Sequence, residues 1–421
     1  MSKLSEINLM APETLECPFP AYKVLQDEAP VYQVPETNMF VVTQYDLVME
    51  AVRNTQVFSS AMSQNGSSTG GIMGYPEVIE LFEKEGYPFA STLISADPPE
   101  HTRYRQLVNR AFTAGRVRKM QDYIQQIVDE LIDGFVDKGE VEFMHDFAIM
   151  LPIYIIADQL GVPRSDAAKF KAWSDAAIPI GLDIGAEAEL ERAKLVVEFQ
   201  KYFVERIEEA RKNPRDDIIS DLVHAEVDGE RPLDIPELLS IIQQLLVAGN
   251  ETTTNAFGAG LVLLMENPDQ LALLKQGDDK MMRTFCEEIL RLEAPVQGLF
   301  RIAARDTELG GVAIPKGSMV NLRWGAANRD ERVFEDPEKL DVCRKNAGAQ
   351  IGYGVGVHFC VGAQLAREEL FLGFKTLLAR LDNVRLADPS APLEHHPNFL
   401  LRGLKALPLK FDRAEVARAA E

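Results

Sequence analysis

The ten residues Tyr353-Gly354-Val355-Gly356-Val357-His358-Phe359-Cys360-Val361-Gly362 decide the fold of this chain. Three of them are glycines, which allow tight turns and a close approach of the backbone and are out of place inside a helix or strand. The segment that follows, AQLAREELFLGFKTLLARL, predicts a long helix from about Gly362 to Leu381. Cys360 therefore lies just before a helix N-terminus, where unpaired N–H groups and the helix dipole stabilise a thiolate.

A thiolate presented from a glycine-rich loop is suited to axial ligation of haem iron. The segment resembles the haem-binding loop of the cytochrome P-450 family, whose pattern is Phe-Gly-x-Gly-x-His/Arg-x-Cys-x-Gly. Every fixed position matches except the first, which is Tyr353, and Gln350 occupies a position where the family often has His. The resemblance implies that Cys360 is the axial ligand of the iron and that Tyr353, His358 and Gly362 belong to the haem-binding loop.

A second segment, Leu246–Thr254, lies in the middle of the longest predicted helix. That helix is expected to start at Asp234, with Glu237 as its capping-box partner, and to end near Asn267. Glycine, asparagine and threonine are poor helix formers, and threonine hydroxyls can bond back to the preceding turn and bend a helix. The pattern predicts a weak point, and hence a functional site, in the middle of the helix.

The same segment resembles the oxygen-activating groove of the P-450 family, Ala-Gly-x-Asp/Glu-Thr-Thr. The resemblance implies that Thr252 hydrogen-bonds iron-bound dioxygen or its proton-delivering water, and that Glu251 relays protons from solvent. It also places Ala248 and Gly249 among the cofactor-binding residues. A carboxylate beside a hydroxyl is a suitable pair for proton transfer.

Two further resemblances concern charged residues. Glu288 and Arg291 share a helix face and resemble the family's structural Glu-x-x-Arg pair; the same spacing recurs elsewhere, so only its position before Cys360 singles it out. Residues 97–105 resemble the helix that binds the haem propionates, which need charge-assisted donors when buried. The resemblance assigns this role to four residues: His101, Arg105, Arg301 and His358.

The chain is expected to be mainly α-helical with a minor β region (α+β), forming a single P-450-type domain over residues 1–421 with a long central oxygen-binding helix and a haem-thiolate loop. Amphipathic helical patterns run from Pro99 to about Pro268. Two shorter helices are expected before them, one near Pro20–Glu28 and one near Glu77–Glu85. Both ends of the chain supply the β region. Its expected strands are Val31–Val34, Met39–Thr43, Leu309–Ile314, Met319–Leu322 and parts of Asn383–Phe411.

Composition excludes several classes of protein. The chain has 44 Lys and Arg against 65 Asp and Glu, a net charge of −21, so a nucleic-acid backbone or an anionic membrane would be repelled. No apolar run reaches the roughly 18–20 residues of a membrane span, and no secretory signal is evident. Four scattered cysteines indicate thiols rather than a disulfide framework. We expect a cytoplasmic monomer.

By this resemblance the protein is a haem-thiolate monooxygenase that binds haem b and receives electrons from NAD(P)H through a reductase and a ferredoxin. The substrate is expected to be a hydrophobic small molecule such as a terpenoid, steroid or aromatic. Its pocket would be built from the loop near Met62–Phe89 and the segment Ala176–Ile184. Five further lining residues are expected: Val247, Val296, Leu299, Phe399 and Leu400.

Residues 101–121 contain six basic residues and no acidic one, in a strongly acidic chain. The pattern is typical either of a solvated helix face or of a surface that steers an acidic ferredoxin towards the cysteine side of the haem. The basic residues assigned to that surface are Arg103, Arg110, Arg116, Arg118 and Lys119.

Two alternatives stay open at this point. A P-450-fold enzyme could catalyse a non-hydroxylating oxidation such as desaturation, coupling or dealkylation, although the intact pair of Glu251 and Thr252 favours hydroxylation. A non-catalytic haem sensor would bind haem without coupling NADH oxidation to product formation.

Overall fold

The computed structural model describes residues 3–35, 37–61, 75–109, 112–178, 184–226 and 230–414. Within these ranges helices predominate and strands are short, which confirms the mainly α fold with a minor β region. The chain divides into two compact units. Unit 1 comprises residues 1–58, 117–152 and 252–421, and unit 2 comprises residues 59–116 and 153–251. A single domain over residues 1–421 stays a prediction.

Unit 1 contains the sheets and most of the short helices. Its helices in the described residues are α1 (Pro12–Glu16), α2 (Phe19–Glu28), α3 (Tyr45–Arg53), most of α6 (Ala114–Asp133), the second half of α11 (Ile235–Glu266), α12 (Pro268–Gln276), α13 (Asp279–Leu292), α14 (Trp324–Ala327) and α15 (Ala363–Arg380). Its strands are β1 (Val31–Gln33), β2 (Met39–Val42), β3 (Phe58–Ser59, whose last residue falls in unit 2), β4 (Glu140–Glu142), β5 (Leu299–Ala303), β6 (Thr307–Leu309), β7 (Val312–Ile314), β8 (Met319–Leu322), β9 (Leu381–Leu386) and β10 (Pro408–Arg413).

The strands form three small sheets that join distant parts of the chain. The largest has the order β1-β2-β8-β5-β3, in which β2 and β8 are parallel and β5 is antiparallel to β8. A second sheet has the order β4-β10-β9, and β6 pairs with β7. Apolar residues of β2, β5 and β8 pack with α3 and Trp324 into a buried core cluster. Strands from both ends of the sequence therefore meet, as expected.

Unit 2 is helical in its described residues. Its helices are α4 (Pro76–Glu85), α5 (Glu100–Asn109), most of α7 (Met150–Gln159), α8 (Ala167–Ala177), α9 (Ala186–Lys212), α10 (Ile218–Val223) and the first half of α11. Helix α9 packs against α4, α8 and α10. Rings of α8 and α9 contact one another, with Trp173 between Phe199 and Tyr202.

Helix α11 begins as its sequence predicts. The Asp234 carboxylate accepts from the Glu237 N–H at 3.0 Å, and the Glu237 carboxylate accepts from the Asp234 N–H at 2.9 Å, which makes a reciprocal capping box. Glu237 also accepts hydrogen bonds from Arg103, Tyr104 and Arg231 of unit 2. The helix then runs without interruption through the threonine segment, so the predicted weak point does not break it.

Two strand predictions needed correction. The single strand expected at Leu309–Ile314 is a tight hairpin, because Gly310 and Gly311 adopt left-handed backbone angles that turn the chain. Strand β4 interrupts the region expected to be helical, and its three residues are too few to show a periodicity. The hairpin of β1 and β2 and helices α2, α4 and α15 lie within a few residues of their expected bounds.

The Glu288–Arg291 pair lies in the interior of unit 1, and both side chains have no exposed surface. Two parallel contacts join them, Nε to Oε1 at 2.5 Å and Nη2 to Oε2 at 2.9 Å. Arg291 also donates to the carbonyls of Pro337 and Lys339, and Arg344 forms a second ion pair with Glu288 at 3.0 Å. The pair therefore fastens the segment before the cysteine loop to α13.

Replacing Arg291 with methionine should lower the free energy of unfolding by about 3–5 kcal/mol, because it leaves the Glu288 charge buried with less compensation. Chemical denaturation measures this loss. Lys23→Met is the control: it breaks a solvent-exposed ion pair with Asp27, and we expect it to cost at most about 1 kcal/mol. Equal effects of the two variants would contradict a central role for the buried pair.

Candidate functional site

The cysteine loop is shaped by backbone conformation. Gly354 and Gly356 have φ values of +70° and +69°, in the left-handed region that favours glycine. The Cys360 N–H donates to the Tyr353 carbonyl at 2.8 Å, which closes the loop. Cys360 is half-buried and lies two residues before Gly362, the N-cap of α15. The thiol is thus presented at the positive end of an 18-residue helix, as predicted.

A polar network packs against the cysteine loop. It includes Tyr353 and Gln350, the two residues that differ from the family pattern. Arg367 lies over the Tyr353 ring, 4.4 Å from its centre, and donates to Glu287 at 2.6 Å. Gln350 donates to the other oxygen of Glu287 at 2.8 Å. The buried Tyr353 hydroxyl has no hydrogen-bond partner among the described residues, and burial raises its pKa well above 10. Tyr353 is therefore a neutral ring held by packing and by a cation.

The four residues predicted to bind propionates are divided between the units. In unit 1, Arg301 lies on β5 with only 3% of its surface exposed, and the half-buried His358 ends a single 3₁₀ turn in the cysteine loop. In unit 2, His101 and Arg105 lie one turn apart on α5. Burial and the charge of Arg105 lower the pKa of His101, which keeps its ring neutral at pH 7.

Glu251 lies on α11 with a basic partner that sequence reasoning missed. Its carboxylate accepts from Lys171 of α8 at 3.2 Å, and Lys171 also pairs with Asp175. Burial raises the pKa of Glu251 and outweighs the opposing charge of Lys171. Thr252, the next residue, is half-buried. No sequence signal links Lys171 to Glu251, because 80 residues separate them.

Ala248 and Gly249 lie on the same part of α11. Ala248 is exposed and, one helical turn before Thr252, shares its face of the helix. A Cβ added to Gly249 would lie 3.5 Å from Ile156, an ordinary packing distance, so the position tolerates a small side chain within unit 2. The accessible face of the helix is therefore the one that carries the predicted oxygen-activating residues.

A second carboxyl near the threonines was also missed. Glu369 on α15 is 2% exposed, hydrogen-bonds to Thr253, and has one oxygen without a partner among the described residues. Burial raises its pKa to about 8, against the opposing effect of Thr253, so the group is largely protonated at neutral pH. A sequence signal existed, since Glu369 falls between Leu365 and Leu377 on the apolar face of the helix.

The predicted substrate-pocket residues of unit 1 are partly buried. Val296 forms a β-bridge with Leu401, and the neighbouring Leu400 carbonyl accepts from Gln297 at 2.7 Å. Leu299 and Val296 pack against the core cluster of unit 1, whereas Phe399 stacks on Phe300. In unit 2, Val247 is half-buried on α11. Residues 62–74 and 179–183 of the predicted pocket lie outside the described residues.

The predicted basic surface separates into two groups. Arg103 is paired with Glu237 and Glu230, and Arg116 with Asp221 and Asp216, so both charges are already neutralised within unit 2. Arg118 and Lys119 of unit 1 are exposed. Arg110 lies outside the described residues. The available positive charge is therefore smaller than the sequence suggests.

The donor set can be compared with the chemical groups of haem. One half-buried thiol at a helix N-terminus matches a ligand of iron, and within the same unit the buried Arg301 and the half-buried His358 are donors suited to a carboxylate. A side chain at Gly354 would be strained, because the residue is in a left-handed conformation and a Cβ there would lie 3.3 Å from the His358 carbonyl oxygen. Among the other cysteines, Cys286 is buried, whereas Cys17 and Cys343 are exposed. The residues fit haem with Cys360 as ligand.

Comparisons with known proteins agree with this arrangement. The cytochrome P450 family model matches residues 184–406. The chain is 38% identical to the putative cytochrome P450 YjiB of Bacillus subtilis over 397 residues, which are 93% of both chains. It is 34% identical to 6-deoxyerythronolide B hydroxylase of Saccharopolyspora erythraea, covering 93% of this chain and 95% of the relative. The solved structure of CYP109E1 from Bacillus megaterium with testosterone superposes with a TM-score of 0.82 at 32% identity, covering 95% and 99% of the two chains.

Glu369 should make stability depend on pH in a defined direction. Its pKa of about 8 in the folded protein exceeds the ordinary value of 4.5, so the folded state retains a proton that the unfolded state releases between these values. Stability should therefore fall as pH rises through this window, by up to about 1.4 kcal/mol per pH unit.

Glu369→Gln should remove this dependence, so that the variant gains on the wild type between pH 5 and pH 8. Unfolding midpoints measured across this range test the prediction. Glu308→Gln, at an exposed position of unit 1, is the control and should follow the wild-type profile. Parallel profiles for Glu369→Gln and the wild type would show that the carboxyl is ionised in the folded protein.

Proposed function

The chain belongs to the cytochrome P450 family and is a P450 monooxygenase, and on this basis we propose that it hydroxylates a hydrophobic small organic molecule with haem b and two electrons from an external partner. The observation that carries the proposal is the position of Cys360, in a left-handed glycine loop at the start of α15. A relative named 6-deoxyerythronolide B hydroxylase and a solved structure that contains testosterone support a hydrophobic substrate such as a terpenoid, steroid or aromatic.

Cys360 would hold the iron through its sulfur. His101, Arg105, Arg301 and His358 would bind the propionates. Bound haem supplies the activation of O₂ that the protein's own side chains cannot perform. The neutral His101 would act as an N–H donor, and the buried Arg301 as a fixed positive charge.

Four uncharged residues are also proposed to contact the haem. Tyr353 and Gly362 belong to the cysteine loop, Ala248 is exposed on α11, and Gly249 is half-buried on the same helix. Small residues at the last two positions let the helix backbone approach a flat ligand. The loop network of Glu287 and Arg367 would keep Tyr353 in place when the thiol is ligated.

Glu251 and Thr252 would supply the protons. Burial raises the pKa of Glu251 above that of an exposed glutamate, which makes it a better proton carrier for this role. The hydrogen bond from Lys171 would keep the Glu251 carboxylate in a fixed position while it is ionised. The Thr252 hydroxyl, on the next residue, can accept and donate at once, so it can pass a proton from Glu251 towards a bound ligand.

We also propose a ferredoxin as electron donor, a monomeric state and a cytoplasmic location. Among the described residues no helix is long and apolar enough to cross a membrane. In the described part of the segment proposed to meet an acidic ferredoxin, the exposed basic residues are Arg118 and Lys119.

A carbon monoxide difference spectrum of the reduced protein tests the haem-thiolate assignment. The wild type should give the red-shifted band of a thiolate ligand, and Cys360→Ser should lose it. Cys343→Ser, at an exposed thiol, is the control and should keep it. A substrate panel scored by spin-state shift and product analysis then identifies the substrate class. A wild-type spectrum without the thiolate band would overturn the assignment.

Thr252→Ala should retain haem and substrate binding but divert electrons to hydrogen peroxide, because the hydroxyl that directs the proton is lost. Product formed per NADH should fall several-fold while peroxide rises. Thr284→Ala removes a threonine hydroxyl on the exposed side of α13 and serves as the control. An unchanged yield per NADH in Thr252→Ala would refute the role in proton delivery.

Neutralising Arg118 and Lys119 together should raise the ferredoxin concentration needed for half-maximal turnover. The effect should be strongest at low ionic strength, because salt screens exposed charges. Arg305→Gln, an exposed position elsewhere in unit 1, controls for net charge. A double variant with wild-type salt dependence would remove this surface from the proposal.

A further inference from the structure

Residues 395–404 of unit 1 form a short hairpin, closed by a β-bridge between its first and last residues. Its tip carries Phe399 and Leu400, two of the residues proposed to line the substrate pocket. The side-chain oxygen of Asn398 accepts from the N–H groups of Leu400 and Leu401 at 2.8 and 2.9 Å. The tip is therefore an ordered turn, and its position depends on the contacts that it makes with the rest of the unit.

Arg402 ends the tip and joins it to two other segments of the unit. Its Nε donates to the Glu293 carboxylate at 3.0 Å, and its Nη1 donates to the Glu16 carbonyl at 2.5 Å. Its backbone N–H donates to the Pro295 carbonyl at 3.0 Å. Only 11% of the Arg402 side chain and 16% of the Glu293 side chain are exposed. A pair that is shielded in this way holds the chain more firmly than an exposed ion pair does.

Glu293 connects the tip to the helix that also supports the cysteine loop. It is the C-cap of α13, and Glu288 and Arg291 lie in the last two turns of the same helix. The buried pair of Glu288 and Arg291 fastens the segment before the cysteine loop, and Glu293 fastens Arg402. One helix therefore sets the position of both the cysteine loop and the tip.

The hairpin also packs directly against α11. A Cβ added to Gly403 would collide with the side-chain amide of Asn255, so the hairpin backbone is in close contact with the helix. Asn255 lies three residues after Thr252, and residues with this spacing are neighbours on a helix surface. The contact that follows Arg402 in the chain is thus made beside the proposed oxygen-activating residue.

We propose that Arg402 is a positioning residue that determines substrate specificity. Its bonds to Glu293 and Glu16 fix the tip against α11 and so set the room for an apolar substrate beside Leu400. An ordered tip makes its contacts without the entropy cost of being ordered when the substrate binds. The inference rests on the proposed function in one respect, the contact of Leu400 with the substrate.

Hydrogen exchange of the complete protein without substrate tests whether Arg402 fixes the tip. Arg402→Gln should speed exchange of the backbone N–H groups of Gln297 and residues 400–402 about tenfold, because the tip opens more often. Exchange in the rest of unit 1 should not change, which a general loss of stability would not permit. Arg385→Gln, at an exposed position of the same unit, should exchange as the wild type does.

Should Arg402→Gln fail to fold, Arg402→Lys takes its place, because a lysine cannot bond both acceptors as the guanidinium does. We then expect the same changes at a smaller size. Exchange of the tip at the wild-type rate in the folded variant overturns the proposal.

Optical titration of the haem-loaded protein with imidazole and 4-phenylimidazole tests specificity, because the second ligand adds an apolar ring to the first. Arg402→Gln should weaken binding of 4-phenylimidazole about fivefold and leave imidazole unchanged. Since Arg402 acts through Leu400, the effect should largely disappear in a Leu400→Ala background.

Equal losses for both ligands, or an equal effect of Arg402→Gln with and without Leu400, overturn the proposal. A wild type without a spectral response to imidazole contradicts the haem assignment, and the specificity claim falls with it. Faster exchange of the tip in Arg402→Gln would still show that Arg402 fixes it, so the two failures are distinguishable.

Discussion

The buried carboxylate of Glu288 holds together the part of unit 1 on which the cysteine loop depends. Through Arg291 it binds the carbonyls that precede the loop, and it accepts directly from the Asp341 N–H at 3.1 Å. Asn328, whose carbonyl Arg291 also contacts, accepts from the Ile351 N–H at 2.7 Å, two residues before Tyr353. Buried charges are costly when they are unpaired, so the loss of either Glu288 or Arg291 would leave the other charge buried without its partner. The position of the thiol is thereby tied to the interior of the fold.

Two carboxyls with different surroundings flank the threonines of α11. The Glu251 carboxylate contacts Lys171, and the nearby Asp175 also affects its pKa. Glu369 has no basic partner among the described residues and is largely protonated at neutral pH. Burial is the first cause in both cases, and the presence or absence of a cation distinguishes them. The threonine segment therefore has one carboxyl beside it in the chain, on α11, and a second, on α15, that hydrogen-bonds to Thr253.

Local signals in the sequence predicted the elements that depend on local chemistry. The capping box of Asp234, the glycine loop and the helix after Cys360 follow from neighbouring residues alone. Long-range partners could not be predicted in this way. Lys171 meets Glu251 across 80 residues, and β4 exists only because β10 pairs with it. For the same reason the sequence overestimates the exposed positive charge of residues 101–121. The acidic residues that neutralise Arg116 lie about a hundred residues away in the chain. The proposed haem and substrate contacts remain predictions.

The order of strands has a consequence for synthesis of the chain on the ribosome. Strand β10 is the middle strand between β4 and β9, and β2 pairs with β8 nearly three hundred residues later. The largest sheet therefore cannot close until β8 has been translated, and the sheet of β4, β9 and β10 cannot close until residue 413 has been translated. All segments of unit 2 are complete once residue 251 has emerged. During translation, β1, β2 and β4 must wait with open edges, and an unpaired edge is where a nascent chain is most exposed to aggregation.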